Sequence, residues 1–150
     1  MAAGTYDVHG DAQTVATAIT ILELTAPATA ILRVFRAWVS ANTSTAGSGR
    51  IRLLRKSATI TGTASPPTPS PLGAFASSGA TVKWIATAEG TDGTILHEET
   101  FRLDGGSWTW AALKESEMII VPPSGILALK FPAAPTSNAF SFGFSYDEVG

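Results

Sequence analysis

The stretch from Asn138 to Asp147 alternates large aromatic and small side chains at every second position. The rings are Phe140, Phe142, Phe144 and Tyr146, and the small residues between them are Ala139, Ser141, Gly143 and Ser145. Successive side chains of a strand point to opposite faces, so this pattern predicts a strand with one aromatic face. Such a row would be a large exposed apolar patch unless a second sheet covered it. We therefore expect a central, core-forming strand, with its thin face either in solvent or under a neighbouring chain.

The rest of the chain is divided into short alternating segments by turn-forming residues. The alternation predicts eight to ten strands, and the window from Ala111 to Glu117 is the one helix-like stretch. Asn42 to Gly49 is predicted to be a flexible loop, and the pair Asp92-Gly93 indicates a tight hairpin turn. Many short strands with frequent turns are typical of an all-β sandwich, jelly roll or related barrel. With 150 residues, a single domain is expected.

Two segments do not fit the sandwich pattern. Residues 1–14 are small and polar, which predicts an N-terminal arm, or a short edge strand around Tyr6 and Val8, leaving 15–150 as the domain. Residues 63–79 form a proline-rich loop that contains Pro66, Pro67 and Pro69. Proline fixes its own torsion and extends the residue before it, so this loop should be stiff. We interpret it as a rigid crossover between the halves of the sandwich; a docking ligand for an aromatic groove is the alternative.

Composition narrows the classes of function. Charged residues make up 15% of the chain, below the usual quarter, which is typical of a surface partly covered by partners and also of compact all-β proteins. The net charge of -2 gives no case for nucleic acid or an anionic membrane as a partner. The absence of cysteine excludes disulfides, cysteine-ligated zinc and thiol catalysis. The N-terminus has no basic and apolar regions of a signal peptide, so we expect synthesis in a cytoplasm.

No motif for catalysis is present. The chain has two histidines, His9 and His97, and no Gly-x-Ser-x-Gly sequence. His97 and Glu99 have strand spacing, but a metal centre of the cupin kind needs more histidines. We expect no catalytic, cofactor-binding or metal-binding residues, and hence no enzyme.

Trp108 and Trp110 share one parity directly after a glycine turn. They fit the core or a subunit interface, where tryptophan is enriched. Two indoles exposed side by side would instead fit a carbohydrate-binding surface, which we place second.

The order of these segments resembles a family of virion proteins. The segments that carry the resemblance are Ile19–Ala28, Ala30–Val39, Ile51–Arg55, Trp108–Trp110, Ile120–Lys130 and the aromatic last strand. Together they resemble the jelly-roll head decoration (cement) proteins of tailed bacteriophages. The resemblance implies a jelly-roll β-sandwich that forms a homotrimer on the capsid surface of the virion, made in the host cytoplasm. It also implies that the major capsid protein is the partner, and that the trimer clamps neighbouring capsid subunits.

The resemblance further implies that an arm or long loop makes the contact across subunits. Candidate contacts are therefore Tyr6 and Val8 in the arm, Pro66, Pro67 and Pro69 in the loop, and Trp108 and Trp110. Of the two extended segments, we favour the arm. A tail or baseplate component, or a carbohydrate-binding β-sandwich module, remains as an alternative function.

Overall fold

The computed structural model describes residues 3–150, which form eleven β-strands. These are β1 (Gly4–Val15), β2 (Thr20–Thr25), β3 (Ile31–Ala41), β4 (Ser44–Ala58), β5 (Ser70–Pro71), β6 (Thr81–Trp84), β7 (Thr91–Asp104), β8 (Ser107–Ala111), β9 (Ile119–Val121), β10 (Ile126–Lys130) and β11 (Asn138–Val149). Between 3 and 150, the single helix is one 3-10 turn at Glu115–Glu117. No helix in this range has the length and apolar character needed to span a membrane.

The strands form two antiparallel sheets. The first sheet has the order β5-β1-β11-β3-β8, with β9 also paired to β3, and the second has the order β6-β2-β10-β4-β7. Strand β1 pairs with β11, β2 with β10, β3 with β8, and β4 with β7. Early strands thus pair with late ones, as in a long hairpin folded over into two sheets. This is jelly-roll connectivity, and it confirms the predicted all-β sandwich.

The core lies between the sheets and is built on β11. Strand β11 runs between β1 and β3, and its four rings are fully buried. Phe140 contacts two rings supplied by the second sheet and its flank, with centroids 4.8 Å from Phe131 and 6.3 Å from Phe101. The predicted aromatic face is therefore confirmed as the surface on which the second sheet packs.

The neighbour of Phe142 must be small. Gly10 lies directly opposite Phe142 on β1. A Cβ atom added at Gly10 would stand 2.7 Å from the Phe142 ring, which is closer than carbon atoms can approach. Glycine at this position lets the ring lie over the β1 backbone.

The predicted N-terminal arm is wrong for the residues that the structure describes. Residues 4–15 form a full strand, with Tyr6 opposite Tyr146 and Val8 opposite Phe144. The Tyr6 and Tyr146 rings stack, with their centroids 5.6 Å apart. The small and polar residues of β1 look like an arm in sequence, but Tyr6, Val8 and Gly10 lie opposite three of the rings of β11 and complete the strand pairing. Met1 and Ala2 of the predicted arm lie outside the described residues.

Two local predictions also differ from the structure. The predicted loop from Asn42 to Gly49 lies mostly in β4, which begins at Ser44 and is irregularly paired up to Ser48. The pair Asp92-Gly93 lies inside β7 and makes no hairpin turn. A Cβ atom at Gly93 would meet the Arg55 carbonyl oxygen at 3.0 Å, so this glycine permits close approach to β4.

We expect Phe142→Ala to lower the free energy of unfolding by about 3–5 kcal/mol, because it leaves a cavity where the two sheets meet. Leu113, with 90% of its surface exposed, is the control position. Leu113→Ala should change stability by no more than about 0.5 kcal/mol. Urea unfolding followed by tryptophan fluorescence measures both values. Equal effects would contradict the assignment of β11 as the centre of the core.

Candidate interaction surface

The chain between β4 and β7, residues 59–90, crosses one edge of the sandwich. We call it the crossover; it contains the predicted proline-rich loop 63–79. Within it, β5 pairs with β1 and β6 pairs with β2, so the crossover is hydrogen-bonded to an edge of each sheet. It therefore bridges the two sheets as an ordered part of the domain.

A buried carboxylate on β2 holds the start of the crossover. Glu23 is fully buried and accepts hydrogen bonds from the Thr59 hydroxyl and from the Ile60 backbone N–H, the latter at 3.1 Å. Lys83 Nζ donates to Thr59 Oγ1 at 2.9 Å and to the Ile60 carbonyl at 3.1 Å. These contacts satisfy the buried polar groups, which would otherwise destabilise the fold.

A cluster of four charges holds the end of the crossover. Lys56, whose side chain is fully buried, contacts Asp92 at 2.7 Å and Glu89 at 3.1 Å. Lys130 contacts Asp92 at 2.7 Å, and Thr20 donates through its hydroxyl to Glu89 at 2.7 Å. The cluster thereby joins the crossover and β7 to strands β2, β4 and β10.

The charges in this cluster stabilise one another. Burial alone would lower the pKa of Lys56, but hydrogen bonds to Asp92 and Glu89 outweigh burial, and the pKa is raised. Burial would likewise raise the pKa of Glu89 and Asp92. Hydrogen bonds from Thr20 and Lys56 lower the pKa of Glu89, and those from Lys130 and Lys56 lower that of Asp92. All three groups therefore stay charged across the neutral range.

A second buried carboxylate holds the middle of the crossover. Glu148 on β11 accepts hydrogen bonds from Ser78 Oγ at 2.6 Å and from the Gly79 N–H at 3.0 Å. Tyr6 donates to the Ala76 carbonyl at 2.7 Å, and the Tyr146 hydroxyl lies 2.8 Å from Ser78 Oγ. Burial raises the pKa of Tyr146, which keeps this phenol protonated.

Between these anchors the crossover exposes an apolar tip, Leu72 and Phe75. Their exposed fractions are 61% and 45%. The Leu72 N–H donates to the Thr5 carbonyl at 2.9 Å, and the Phe75 ring lies over Gly4 with no room for a side chain beneath it. No Asp, Glu, Lys or Arg occurs from Ser57 through Val82. The tip is thus a neutral, rigidly mounted apolar surface.

The predicted contact residues differ in their exposure to solvent. Tyr6 and Val8 are fully buried in the core, so the prediction that they contact a partner is wrong. Deleting the first strand would remove both from the core. Pro66 is exposed, whereas Pro67 and Pro69 are half-buried, and all three precede β5 in the crossover. The prolines remain candidate contacts beside the apolar tip.

Trp108 and Trp110 face the inside of the sandwich. They pair with Val39 and Ala37, two buried core residues of β3, and both pack half-buried against the core. The Trp110 ring lies 5.7 Å from the ring of His97 on β7, across the open edge between the sheets. This placement favours the core interpretation and rejects an exposed pair of indoles.

Sequence reasoning missed Leu72 and Phe75, although a signal was present. A long run without charge that contains several prolines is unusual for a loop exposed to solvent. The prolines are predicted contacts because of their stiffness, whereas Leu72 and Phe75, the two large apolar residues that follow them, are not among the predicted contacts. Among residues 3–150, no group of three or more His, Cys, Asp or Glu side chains is arranged to hold a metal ion.

The charged cluster predicts a defined pH dependence of stability. Because folding lowers the pKa of Glu89 and Asp92, their contribution is present above the unfolded values of about 4 and is lost as pH falls through the folded values. Glu89→Gln should cost about 1–3 kcal/mol at pH 7, and the cost should shrink below about pH 4. Lys56 contributes below its unfolded pKa of about 10.4 and loses that contribution as pH rises through its raised pKa.

Urea unfolding at several pH values measures these differences. Glu99→Gln, at an exposed glutamate on β7, is the matched control and should have little effect at any pH. A Glu89→Gln cost that stays constant from neutral pH to pH 3 would contradict the role assigned to the cluster.

Comparison with known proteins gives no family for this chain. No family model matches it, and no curated protein matches its sequence. Among solved structures, it is similar to a mutant VP2 protein of infectious bursal disease virus in T=1 particles, at 14% identity and a TM-score of 0.25. The match covers 98% of this chain and 40% of that one. At this TM-score the likeness carries no argument about fold or function.

Proposed function

We propose that the protein is a bacteriophage capsid decoration protein. In this role it binds the outer surface of the mature head and stabilises contacts between subunits of the major capsid protein. The observation that carries the proposal is the apolar tip, which lies in the uncharged run from Ser57 through Val82, within a crossover that is hydrogen-bonded to both sheets. The resemblance of the sequence to head decoration proteins supplies the partner.

The physics of the tip suits docking to a protein lattice. Its exposed apolar side chains would leave water on binding, which contributes roughly 25 cal/mol per Å² of apolar surface. Because Tyr6, Glu148 and β1 already fix the segment, little conformational entropy would be lost on docking. Repeated copies on a lattice would add further avidity.

A tail or baseplate component is the second candidate for the same surface. An apolar tip without charge would suit any neutral groove on a virion protein, and the prolines beside it suit an aromatic-lined one. Binding to isolated heads and to isolated tails distinguishes the two locations.

Changing the tip should abolish attachment without unfolding the protein. We expect Leu72→Ser combined with Phe75→Ser to reduce occupancy strongly when the protein is sedimented with heads assembled from the major capsid protein of the same virus. Leu113→Ser is the matched control, because Leu113 is more exposed than either residue and lies outside the crossover. It should leave occupancy unchanged. Full occupancy by the double variant would show that the tip is not the contact.

We also propose that the protein acts as a homotrimer, which the low content of charged residues supports. Light scattering coupled to size-exclusion chromatography should give three times the 15.5 kDa mass of one chain. A mass of one chain at high concentration, together with isolated single copies on the particle, would overturn the trimer and leave the decoration role to be judged by sedimentation.

A further inference from the structure

Trp38 differs from the other tryptophans of the chain. Trp84, Trp108 and Trp110 pack against the core, whereas Trp38 is not part of that packing. Its neighbours on β3, Ala37 and Val39, are fully buried and face inward. Side chains alternate along a strand, so Trp38 lies on the outer face of the first sheet.

The register places Trp38 on this outer face, next to the central strand β11. It lies in one row with His9 on β1, Gly143 on β11 and Thr109 on β8. The next row on the same face contains Asp7, Ser145, Arg36 and Ala111. Trp38 pairs directly with Gly143 and Thr109, whereas His9 and Asp7 lie on β1, one strand beyond β11. A Cβ atom added at Gly143 would stand 2.8 Å from Trp38 Nε1 and 3.0 Å from His9 Cβ, so the indole reaches His9 across Gly143.

The indole is held in place by its surroundings. A Cβ atom added at Gly143 would stand 2.8 Å from Trp38 Nε1, so the ring extends over β11 where this strand has no side chain. The guanidinium carbon of Arg36 lies 5.8 Å from the centre of the Trp38 ring. A cation at this distance from an indole is attracted to it and restricts its motion.

Polar groups beside the indole are also pre-oriented. Asp7 accepts a hydrogen bond from Ser145 Oγ at 2.8 Å, and its other oxygen lies 3.1 Å from His9 Nδ1. His9 is half exposed, and Arg36 is exposed. The face therefore presents a fixed aromatic ring with hydrogen-bond donors and acceptors in reach on both sides.

We infer that this outer face, centred on Trp38, is a binding site for a neutral hexopyranose unit of a glycan. The apolar C–H face of a pyranose ring would pack on the indole, and its hydroxyl groups would hydrogen-bond to Asp7, His9 and Arg36. An anionic sugar is disfavoured because Asp7 and Asp11 both lie beside His9 on this face.

A protein partner is a poorer fit to the same face. Among residues 3–150, the large apolar side chains that are exposed are Leu72, Phe75, Ile95, Leu113, Ile120 and Val149, and none of them belongs to the two rows. A protein interface buries a broad patch with an apolar centre. One part-exposed indole ringed by polar groups matches a single sugar ring better.

A glycan array that displays neutral and acidic glycans tests the inference. The biotinylated protein would be presented on streptavidin so that weak binding is detected. We expect binding to neutral hexopyranose glycans, and Trp38→Ala should weaken it by about tenfold or more through loss of the stacking surface. Trp110→Phe is the matched control, because Trp110 faces the core, and it should bind as the unchanged protein does.

Trp38→Leu provides a second variant that keeps an apolar cover over Gly143 and removes the flat ring. It should fold with an unchanged melting temperature and lose glycan binding. No binding of the unchanged protein to any neutral glycan would overturn the inference, as would binding that survives both Trp38 variants. Binding restricted to acidic glycans would also overturn it, because Arg36 alone would then account for recognition.

Discussion

The row of rings on β11 is the constraint on which the rest of the structure depends. Four large side chains on one face of a central strand must be covered, and close packing leaves no freedom in how they are covered. On the flanking strands the positions opposite the rings are small where a ring needs room, as at Gly10. The second sheet supplies aliphatic residues and two further rings. The two-layer architecture follows from this single strand.

The crossover illustrates how a segment whose charged residues, Lys83 and Glu89, lie near its end can be fixed in one conformation. Its polar backbone and hydroxyl groups bind to Glu23 and Glu148, two buried carboxylates that belong to the sandwich strands. Since these hydrogen bonds are made by Thr59, Ile60, Ser78 and Gly79, the side chains of Leu72 and Phe75 are not needed for the anchoring. This division of roles explains how Leu72 and Phe75 are both exposed and firmly held.

The sequence was sufficient for the fold class but not for all its boundaries. Strands β8 and β11 were predictable because alternation between aromatic and small or polar residues is strong there. Strand β10 was predictable as a short apolar run that follows a proline- and glycine-containing turn. Strand β1 was predicted only as an alternative, a short edge strand around Tyr6 and Val8, because Gly4, Gly10 and several polar residues conceal an alternation whose meaning depends on β11, far away in the chain. The glycine at 93 was misinterpreted as part of a turn, since its role in approaching Arg55 exists only once β4 and β7 are paired.

For the candidate surface, the stiffness of the crossover was visible in the prolines, whereas the exposure of Leu72 and Phe75 is a property of the folded molecule. The orientations of Trp108 and Trp110 also depend on the pairing of β8 with β3. Both side chains point inward because they lie opposite Val39 and Ala37.

Because the crossover pairs with both sheets on one side of the sandwich, the edge strands on the two sides differ in length. One side of the sandwich ends in β5 and β6, which are two and four residues long, and β5 contains a proline that cannot donate a hydrogen bond. The opposite side ends in β7, with fourteen residues, and β8. Continuous growth of a sheet from molecule to molecule needs two long edges, one to receive a strand and one to offer it. A jelly roll with a single long edge can accept a strand there but cannot extend the sheet further, so it can be crowded at high local density without forming fibres.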